Sequence, residues 1–474
     1  MKIVFRFLLI ICAFATKANA QTYFNYLYDF DNTNIYSNSA SSAYQFANGD
    51  YLITGNKYYS SNFGALFFIK LNSNGDTIYS KRYVKYNGSY QTGSSNSLIK
   101  CYDGNFVQSG IYVGTIGNAD ALLVKLDSLG DTLWTHSYGG ANFDNANTVC
   151  QTVDSGFVLM GVTQSFSNGT ASDFYLIKTD KNGVFQWQQA YGTTLAEDCV
   201  SGQVTSDGGY IMSGIKNSLL YVLKLDTNAN FEWDTQIPNT AGTGFIKQLA
   251  DNTYLLLGAK SVSGLGYEAY MAKLTSTGSL IWQHTYGGIG DQQFYAVPII
   301  LSDGSIVCSG SSTITSHLGM LIKTDSAGNQ QWLRTYYANA NNANYIYDVK
   351  HTSDNGFILI GSGNLTGQDA WVVKVDSNGC EVAGCNVGVE EETTELNNLS
   401  IYPNPANGVF TIECTKNKFK SIRIIDVLGR IIIEINALST NTFNLDISQY
   451  SQGIYYISIT NENGEIMVKK LIKE

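Results

Sequence analysis

The chain has 474 residues, of which 44% are hydrophobic and 14% are charged, and this combination excludes disorder over most of its length. Its formal net charge of −10 would repel polyphosphates and anionic lipids, so nucleic acid and acidic membrane surfaces are excluded as partners. Abundant glycine and tyrosine, with only 4 prolines, favour an all-β fold of short strands and tight turns.

The first twenty residues predict a secretory signal peptide. Lys2 and Arg6 form a positively charged start, and an apolar run follows over 7–15. Small residues ending at Ala20 then place the cleavage site between Ala20 and Gln21. No other segment approaches the roughly 20 apolar residues that cross a bilayer, so we predict no transmembrane segment in the mature chain.

Disulfides can form in an exported chain. Cys380 and Cys385 bound a short loop at the end of a repeated array, and we expect these two to pair. Sequence leaves the pairing of the other mature cysteines open, and these are Cys101, Cys150, Cys199, Cys308 and Cys414.

A unit that recurs every 46 to 55 residues fills the chain from residue 21 to residue 385. Each unit has a lysine that closes an apolar strand, usually followed by a glycine five residues later and an aromatic residue nine residues later. The seven lysines are Lys70, Lys125, Lys178, Lys224, Lys273, Lys323 and Lys374. The aromatic residues are Tyr79, Trp134, Trp187, Trp233, Trp282 and Trp332, and we interpret them as packing between neighbouring units.

Each unit contains two hairpin signals. The segment 177–187 shows one of them, with aspartate and glycine in the turn, and 154–161 shows the other. Four short strands in each of seven units predict a seven-bladed β-propeller over 21–385, with a solenoid as the alternative.

The two ends of the array predict how it closes. The last unit has Ala383 where its aromatic residue belongs, so it lacks an outer strand. Several outer strands place a tyrosine four residues after the aromatic residue, and Phe24 and Tyr28 have this spacing near the N-terminus. We therefore expect the N-terminal strand to complete the last blade and protect the sheet edges. The array resembles propeller-like repeat proteins common among secreted Bacteroidetes proteins, a resemblance that implies a fold but no activity.

The tail contains a linker and a second domain. The acidic stretch 386–397 predicts a flexible linker, and alternating apolar strands over 398–474 predict a small Ig-like β-sandwich. Its motif residues are Pro403, Asn404, Pro405, Gly408, Asp426, Gly429, Arg430, Gly453, Tyr455, Lys469 and Lys470. This set resembles the type A sorting domain of the type IX secretion system, which implies recognition by the outer-membrane translocon and a secreted or cell-surface location. An adhesive sandwich without a sorting role is the alternative.

No set of residues predicts a catalytic site, a cofactor or a metal. The turn aspartates after the repeat lysines lack the spaced oxygen ligands of a calcium loop, and no histidine or cysteine cluster has zinc spacing. His136 and His284 share one repeat position, which indicates surface residues of outer strands. Glu197 and Asp198 are expected in a solvated loop.

We therefore expect a monomeric, non-catalytic binding or adhesion module whose partner is an extracellular glycan or protein. Loops that mix polar and aromatic residues are the candidate binding segments, and they are 165–171, 261–267 and 338–345. The alternative is a secreted polysaccharide-active hydrolase with paired carboxylates near the central channel.

Overall fold

The computed structural model describes residues 22–28, 37–60, 63–84, 88–114, 118–169, 171–263, 266–288, 290–313, 317–338, 343–364, 368–382, 399–414, 418–426, 431–461 and 466–473. The chain divides into two compact units, 1–385 and 386–474. The signal peptide with Ala20 and Gln21, the linker 386–397, Ala383, Cys385, Gly429 and Arg430 lie outside the described residues. Every regular element described is a strand, and none of the described segments forms an apolar helix that could span a membrane.

The first unit contains seven antiparallel sheets among its described residues. The first comprises β2 Asn38–Gln45, β3 Tyr51–Ser60, β4 Phe63–Leu71 and β5 Thr77–Tyr83. The second comprises β6 Gly88–Thr92, β7 Leu98–Lys100, β8 Phe106–Gly114, β9 Ala119–Leu126 and β10 Thr132–Tyr138. The third comprises β11 Asp144–Gln151, β12 Phe157–Thr163, β13 Asp173–Thr179 and β14 Phe185–Tyr191. The fourth comprises β15 Glu197–Val204, β16 Tyr210–Lys216, β17 Leu219–Leu225 and β18 Phe231–Gln236.

The remaining three sheets repeat this order along the chain. The fifth comprises β19 Thr240–Gln248, β20 Tyr254–Val262, β21 Gly266–Leu274 and β22 Leu280–Tyr286. The sixth comprises β23 Gln292–Phe294, β24 Ile299–Ile300, β25 Ile306–Ser312, β26 Leu318–Thr324 and β27 Gln330–Tyr336. The seventh comprises β28 Tyr345–His351, β29 Phe357–Asn364, β30 Gln368–Val375 and the N-terminal strand β1 Phe24–Tyr28, which pairs antiparallel with β30.

The middle strands of each sheet are buried on both faces. All seven residues of β12 and all seven of β13 are buried, whereas the outer strand β14 is largely exposed. The middle strands are continuous apolar runs because each face packs on a neighbouring sheet. Leu159 of the third sheet packs in one core with Leu123 of the second, while Met160 packs in another core with Met212 of the fourth.

The first and seventh sheets pack together in the same way. Phe24, Ile358 and Val372 of the seventh sheet share a core with Tyr51 and Phe67 of the first. The N-terminal strand is also fixed by a side-chain bond, because Trp371 Nε1 donates to Asn25 Oδ1 at 2.6 Å.

A tyrosine near the end of the outer strand joins most sheets to the next one along the chain. Its hydroxyl donates to the carbonyl of the turn residue that stands five positions after the repeat lysine of the next sheet, which is usually glycine. The bonds are Tyr83 to Gly130, Tyr138 to Gly183, Tyr191 to Ala229, Tyr286 to Gly328 and Tyr336 to Gly379. Tyr28 of β1 donates at 2.7 Å to Gly75 of the first sheet, so the seventh and first sheets are joined by this same bond.

The turn glycines are required by conformation and by contact. Gly183 has φ of 78°, where other residues are strained. A Cβ atom at Gly183 would also lie 2.7 Å from the ring of Trp134 in the preceding sheet. The repeated tryptophan therefore packs over the turn of the next sheet.

Each repeat lysine faces the aspartate of the preceding hairpin in its own sheet. The seven pairs, with Nζ to Oδ distances of 2.5 to 4.0 Å, are Lys70–Asp50, Lys125–Asp103, Lys178–Asp154, Lys224–Asp207, Lys273–Asp251, Lys323–Asp303 and Lys374–Asp354. Lys374 is fully buried in its pair. The lysines thus connect the two hairpins of a sheet, a pairing that the sequence pattern did not reveal.

Hydrogen bonds and these pairs lower the pKa of Asp154, Asp207 and Asp251. Hydrogen bonds from Lys178 and Thr152 bring the pKa of Asp154 to about 2. Burial alone would raise the pKa of Asp207, but hydrogen bonds, led by that from Thr205, outweigh burial and bring it to about 2.

The second unit is a two-sheet sandwich. One sheet contains β31 Leu399–Tyr402, β32 Val409–Cys414 and β35 Thr442–Asp446. The other contains β33 Phe419–Asp426, β34 Ile431–Thr440, β36 Gly453–Asn461 and β37 Ile466–Lys473. Phe410 and Ile412 of the first sheet share one core with Ile422, Ile424 and Ile457 of the second.

The lysine–aspartate pairs predict a loss of stability in acid. Asp154, Asp207 and Asp251 have pKa values of about 2 in the folded protein, against about 3.9 for an unfolded aspartate. Their contribution is complete above pH 4 or so and is lost as the pH falls toward about 2. We expect the free energy of unfolding, measured by urea denaturation, to fall over this interval, and to fall less in Asp154→Asn. A constant free energy of unfolding across the interval would contradict the assignment.

Candidate functional site

The first strands of the sheets converge at the centre of the first unit. Ser42 of β2 donates to Asp348 of β28 at 2.9 Å, and Ser95, between β6 and β7, donates to the same carboxylate at 2.8 Å. These bonds join sheets that are distant in sequence. We call the region where these inner edges meet the axis of the first unit.

Bulges interrupt several inner strands where they approach this axis. Register shifts lie between Ala40 and Ser42, between Ala146 and Thr148, between Cys199 and Ser201, and between Ile346 and Asp348. A bulge leaves one extra residue outside the ladder and redirects side chains.

The second sheet has a longer interruption, and residues 93–97 cross the axis there. Ser94 Oγ donates to Val200 O of the fourth sheet at 2.7 Å, and Ser94 N donates to Asn147 O of the third at 3.0 Å. Lys350 of the seventh sheet donates to Asn96 Oδ1 at 2.7 Å. We call residues 93–97 the plug, because they bond to the third, fourth and seventh sheets.

Three tyrosines cluster at the end of the axis where the inner strands begin. The rings of Tyr345 and Tyr347 stack at 8° with centroids 5.9 Å apart, and Tyr295 lies 6.3 and 5.9 Å from them. His317 packs on Tyr345 at 5.4 Å. We call Tyr295, Tyr345 and Tyr347 the tyrosine cluster; all three rings are half-buried.

Hydrogen bonds orient the cluster. Ser362 Oγ donates to the Tyr347 hydroxyl at 3.2 Å, and the Tyr295 hydroxyl donates to Gln293 Oε1 at 3.0 Å. Burial raises the pKa of both Tyr295 and Tyr347, so both carry a proton at neutral pH. The cluster presents aromatic faces and neutral hydroxyls.

The three predicted binding loops have different positions. The loop 338–345 supplies Tyr345, although part of it lies outside the described residues. The loop 165–171 is anchored by Ser165 Oγ, which donates to Asp144 Oδ2 at 2.6 Å. The loop 261–267 ends at Tyr267, whose amide donates to Asp291. Only the first of these loops contributes to the cluster.

The expectation that Glu197 and Asp198 lie in a solvated loop is wrong. Both belong to β15, and Glu197 is fully buried. Glu197 accepts a bond from Thr193 at 2.7 Å and pairs with Lys216 at 3.2 Å. A buried polar side chain at the start of an inner strand recurs, as Gly140 N donates to Asp144 Oδ2 and Gly288 N to Gln292 Oε1. These side chains satisfy backbone groups of the preceding connection, which explains their burial.

Asp348 is the carboxylate nearest the plug. It is fully buried, accepts bonds from Ser42 and Ser95, and pairs with Lys350 at 2.9 Å. Its oxygens are held by protein donors. Asp348 therefore fixes the plug to the seventh sheet.

The other predicted positions have local roles. Asp180 Oδ1 accepts from the amides of Asn182 and Val184 within its turn, and the turn aspartates 127, 226, 325 and 376 make corresponding bonds. His284 Nε2 lies 3.1 Å from Ala327 O at the surface. No described group of three histidine, cysteine or acidic residues could hold a metal ion. Cys380 forms a disulfide, and the other five described cysteines are free.

The motif residues of the second unit connect its two ends. Asn404 Oδ1 accepts from Ile472 N at 2.9 Å, and Ala406 N donates to Ile472 O at 2.8 Å. Gly408 has φ of 108°, and its carbonyl accepts from Ile447 N. The Tyr455 hydroxyl donates to Ser451 O at 2.7 Å. The opening motif is therefore bonded to β37, the strand that contains Lys469 and Lys470.

Residues 400–474 match the family described as the secretion system C-terminal sorting domain. This segment is a type IX sorting domain. Through its sorting domain the protein interacts with the secretion machinery, and it is secreted or displayed at the cell surface.

Two solved structures of extracellular or sugar-binding proteins are similar to this chain. The BP39L lectin of Burkholderia pseudomallei is 10% identical, with a TM-score of 0.50 over 72% of this chain and 96% of that one. The extracellular domain of BT3049, a candidate hybrid two-component system of B. thetaiotaomicron, is 9% identical, with a TM-score of 0.45 over 92% of this chain and 55% of that one. With its repeated four-stranded sheets, the first unit is β-propeller-like.

One curated relative matches by sequence. An endo-acting ulvan lyase of Formosa agariphila is 28% identical over 154 residues, which cover 31% of this chain. The chain spans only 28% of the length of that enzyme.

The Asn404 contact gives a test of the sorting domain. Residues 386–474 appended to a periplasmic reporter should carry it to the surface of a type IX-competent host. We expect Asn404→Leu to reduce the amount of surface reporter severalfold, because it removes the acceptor that bonds the opening motif to β37. Thr411→Val, which removes a side-chain bond to Asn444 and leaves that acceptor in place, should not. Immunoblots of surface and periplasmic fractions measure the distribution, and equal surface delivery by all three tails would contradict a role for Asn404.

Proposed function

We propose that the mature protein is an exported, non-catalytic binding module whose first unit binds an extracellular glycan at the tyrosine cluster. The observation that carries the proposal is the group of three oriented, half-buried rings at one end of the axis. Aromatic faces bind the apolar faces of sugar rings, and tyrosine hydroxyls bond to the sugar hydroxyls at the edges.

The position of the rings in the repeat supports a role in binding. Tyr295 and Tyr347 lie at or beside interruptions of inner strands, whereas the corresponding bulge residues of the third and fourth sheets are Asn147 and Val200. The repeated tyrosines of the outer strands, such as Tyr286, bond to neighbouring sheets instead. The cluster is thus an addition that the packing of the repeats does not require.

The electrostatics near the plug favour binding over turnover. A glycosidase uses two carboxylates that reach the scissile bond from a cleft. Asp348 is fully buried and bonded to Ser42, Ser95 and Lys350, so it is committed to the protein structure.

A polysaccharide-active enzyme is the second candidate. The 28% identity to an ulvan lyase over 154 residues favours it, since that enzyme acts on a polysaccharide. On this hypothesis a carboxylate or other base from the first unit would have to reach the bound chain.

A glycan array with the purified mature protein tests the first proposal. For any glycan that binds, we expect Tyr347→Ala and Tyr295→Ala each to weaken affinity by about tenfold, the effect of losing about 1.4 kcal/mol of ring contact. Tyr267→Ala, which removes a ring that lies in a predicted loop and is not part of the cluster, is the matched control. Affinity that falls for Tyr267→Ala and not for the cluster variants would contradict the assignment.

The same preparation separates binding from catalysis. Incubation with a panel of polysaccharides, followed by assay of reducing ends, should give no release above buffer. Turnover that one aspartate or glutamate substitution in the first unit abolishes would establish the enzyme hypothesis instead.

We also propose that the seven sheets form one closed, seven-bladed propeller. The core shared by the first and seventh sheets and the bond from Tyr28 to Gly75 support closure, because the same contacts join other neighbouring sheets. The N-terminal strand is then the outer strand of the seventh blade.

If the propeller is closed, the bond from Tyr28 to Gly75 joins two neighbouring blades in the same way as the bond from Tyr286 to Gly328. Tyr28→Phe and Tyr286→Phe each remove one interblade hydroxyl bond, so each should reduce the free energy of unfolding by about 1 kcal/mol. Removal of residues 22–28 should lower the melting temperature much further, since it exposes the core around Val372. A melting curve unchanged by the deletion, or by Tyr28→Phe alone, would indicate an open array.

A further inference from the structure

A cavity lies where the inner strands end, whereas the tyrosine cluster lies where they begin. It has a volume of about 440 Å³. Residues from five sheets line it, among them Lys100, Cys150, Gln203, Lys247 and Val297. We call this cavity the lysine pocket. Asn96 of the plug also lines it, and no residue of the tyrosine cluster is among its described lining residues.

The charge of the lysine pocket is opposite to that of the protein. The chain has a net charge of −10, yet Lys100 and Lys247 line the pocket and no carboxylate stands among the described lining residues. Lys350 lies beside it, because its ammonium bonds to Asn96 Oδ1 at 2.7 Å. The carboxylate that pairs with Lys350, Asp348, is also held by Ser42 and Ser95.

Lys247 differs from the lysines of the repeat. Each of the seven repeat lysines faces its own aspartate, and Lys350 forms an ion pair with Asp348. Within the described part of the chain, Lys247 has neither a hydrogen bond nor an ion pair from its ammonium group. Burial lowers its pKa, and the charge of Lys350 lowers it further. A partly buried ammonium beside another is unfavourable unless an anion offsets it.

Gln203 supplies a neutral donor to the same cavity. Its Oε1 atom accepts from Gln248 N at 3.1 Å, which fixes the orientation of the amide. The Nε2 group is therefore on the other branch of the amide, and no described residue accepts from it. Tyr102 lies at the rim with 69% of its surface exposed. The pocket is thus lined by two lysines, an amide donor and an exposed ring, and the ammonium of Lys100 lies 5.4 Å from the centroid of the Tyr44 ring beside it.

We propose that the lysine pocket binds an oxyanion, a carboxylate or a sulfate, with Lys247 and Lys100 as its charged ligands and Gln203 as a hydrogen-bond donor. An ammonium–oxyanion contact in a partly buried cavity is stronger than its exposed counterpart. The exposed ring of Tyr102 favours an oxyanion carried on a saccharide. This site is independent of the tyrosine cluster, so either can be correct without the other.

Titration calorimetry of the full mature protein with oligogalacturonate, a neutral galactose oligomer and sodium sulfate tests the proposal. We expect oligogalacturonate to bind, the neutral oligomer not to bind at this site, and affinity to fall as salt is added. Lys247→Met should weaken binding by about tenfold or more, the effect of losing one charged hydrogen bond. Binding of sulfate as tight as that of the oligomer would identify a free anion as the ligand, whereas tighter binding of the oligomer would identify an acidic saccharide.

Two further variants keep the test decisive if Lys247→Met is unstable. Lys100→Met replaces an exposed lysine and should also weaken binding, whereas Lys181→Met, at an exposed turn outside the pocket, should not. Bound anion should also slow maleimide labelling of Cys150, a free thiol that lines the pocket, with Cys150→Ser as the blank. Failure of both anions to bind, or affinity unchanged in both Lys247→Met and Lys100→Met, would overturn the proposal.

Discussion

The contact between the outer strand of one sheet and the turn of the next determines the geometry of the first unit. The ring of Trp134 occupies the space that a side chain at residue 183 would need, and the Tyr138 hydroxyl reaches the carbonyl of that same glycine. The Trp134 contact requires that residue 183 has no side chain, and the Tyr138 bond fixes the direction of the Gly183 carbonyl. Together they set the separation and angle of neighbouring sheets, and therefore where the inner strands converge.

Residues that repeat and residues that do not repeat have different roles in this unit. The lysine–aspartate pairs and the tyrosine–turn bonds recur from sheet to sheet and stabilise the fold. Tyr347 and Lys247 belong to neither series, and each lies near the axis. Recognition of an asymmetric ligand requires residues that differ between sheets, because identical repeats would present the ligand with the same side chains on every side.

Sequence spacing predicted the parts of the fold that depend on local order. The lysine, glycine and aromatic offsets predicted the hairpins, and the spacing of Phe24 and Tyr28 predicted the strand that pairs with β30. Partners separated by a hairpin were not predicted, so the role of the lysines became clear only in three dimensions. Glu197 was misassigned because its burial depends on Lys216 and on the connection before β15.

The candidate sites were less accessible to sequence analysis. Tyr345 fell within a predicted binding loop, but Tyr295 and Tyr347 depend on strand interruptions that no residue type marks. The sequence feature that could have identified Tyr295 and Tyr347 is that aromatic residues occur in the inner strands of only some units. The lysine pocket had no local signal at all, because Lys100 and Lys247 come from sheets that meet only around the axis.

The pairing of β1 with β30 also bears on the order in which the first unit folds. The Asn25–Trp371 bond links residues 346 positions apart, and contacts of such long range form late because a large loop must close first. The seventh sheet therefore gains its outer strand only when both ends of the array are present. Because the strand that is synthesised first pairs with the last strand of the array, folding of the first unit is completed only after the entire array has been made.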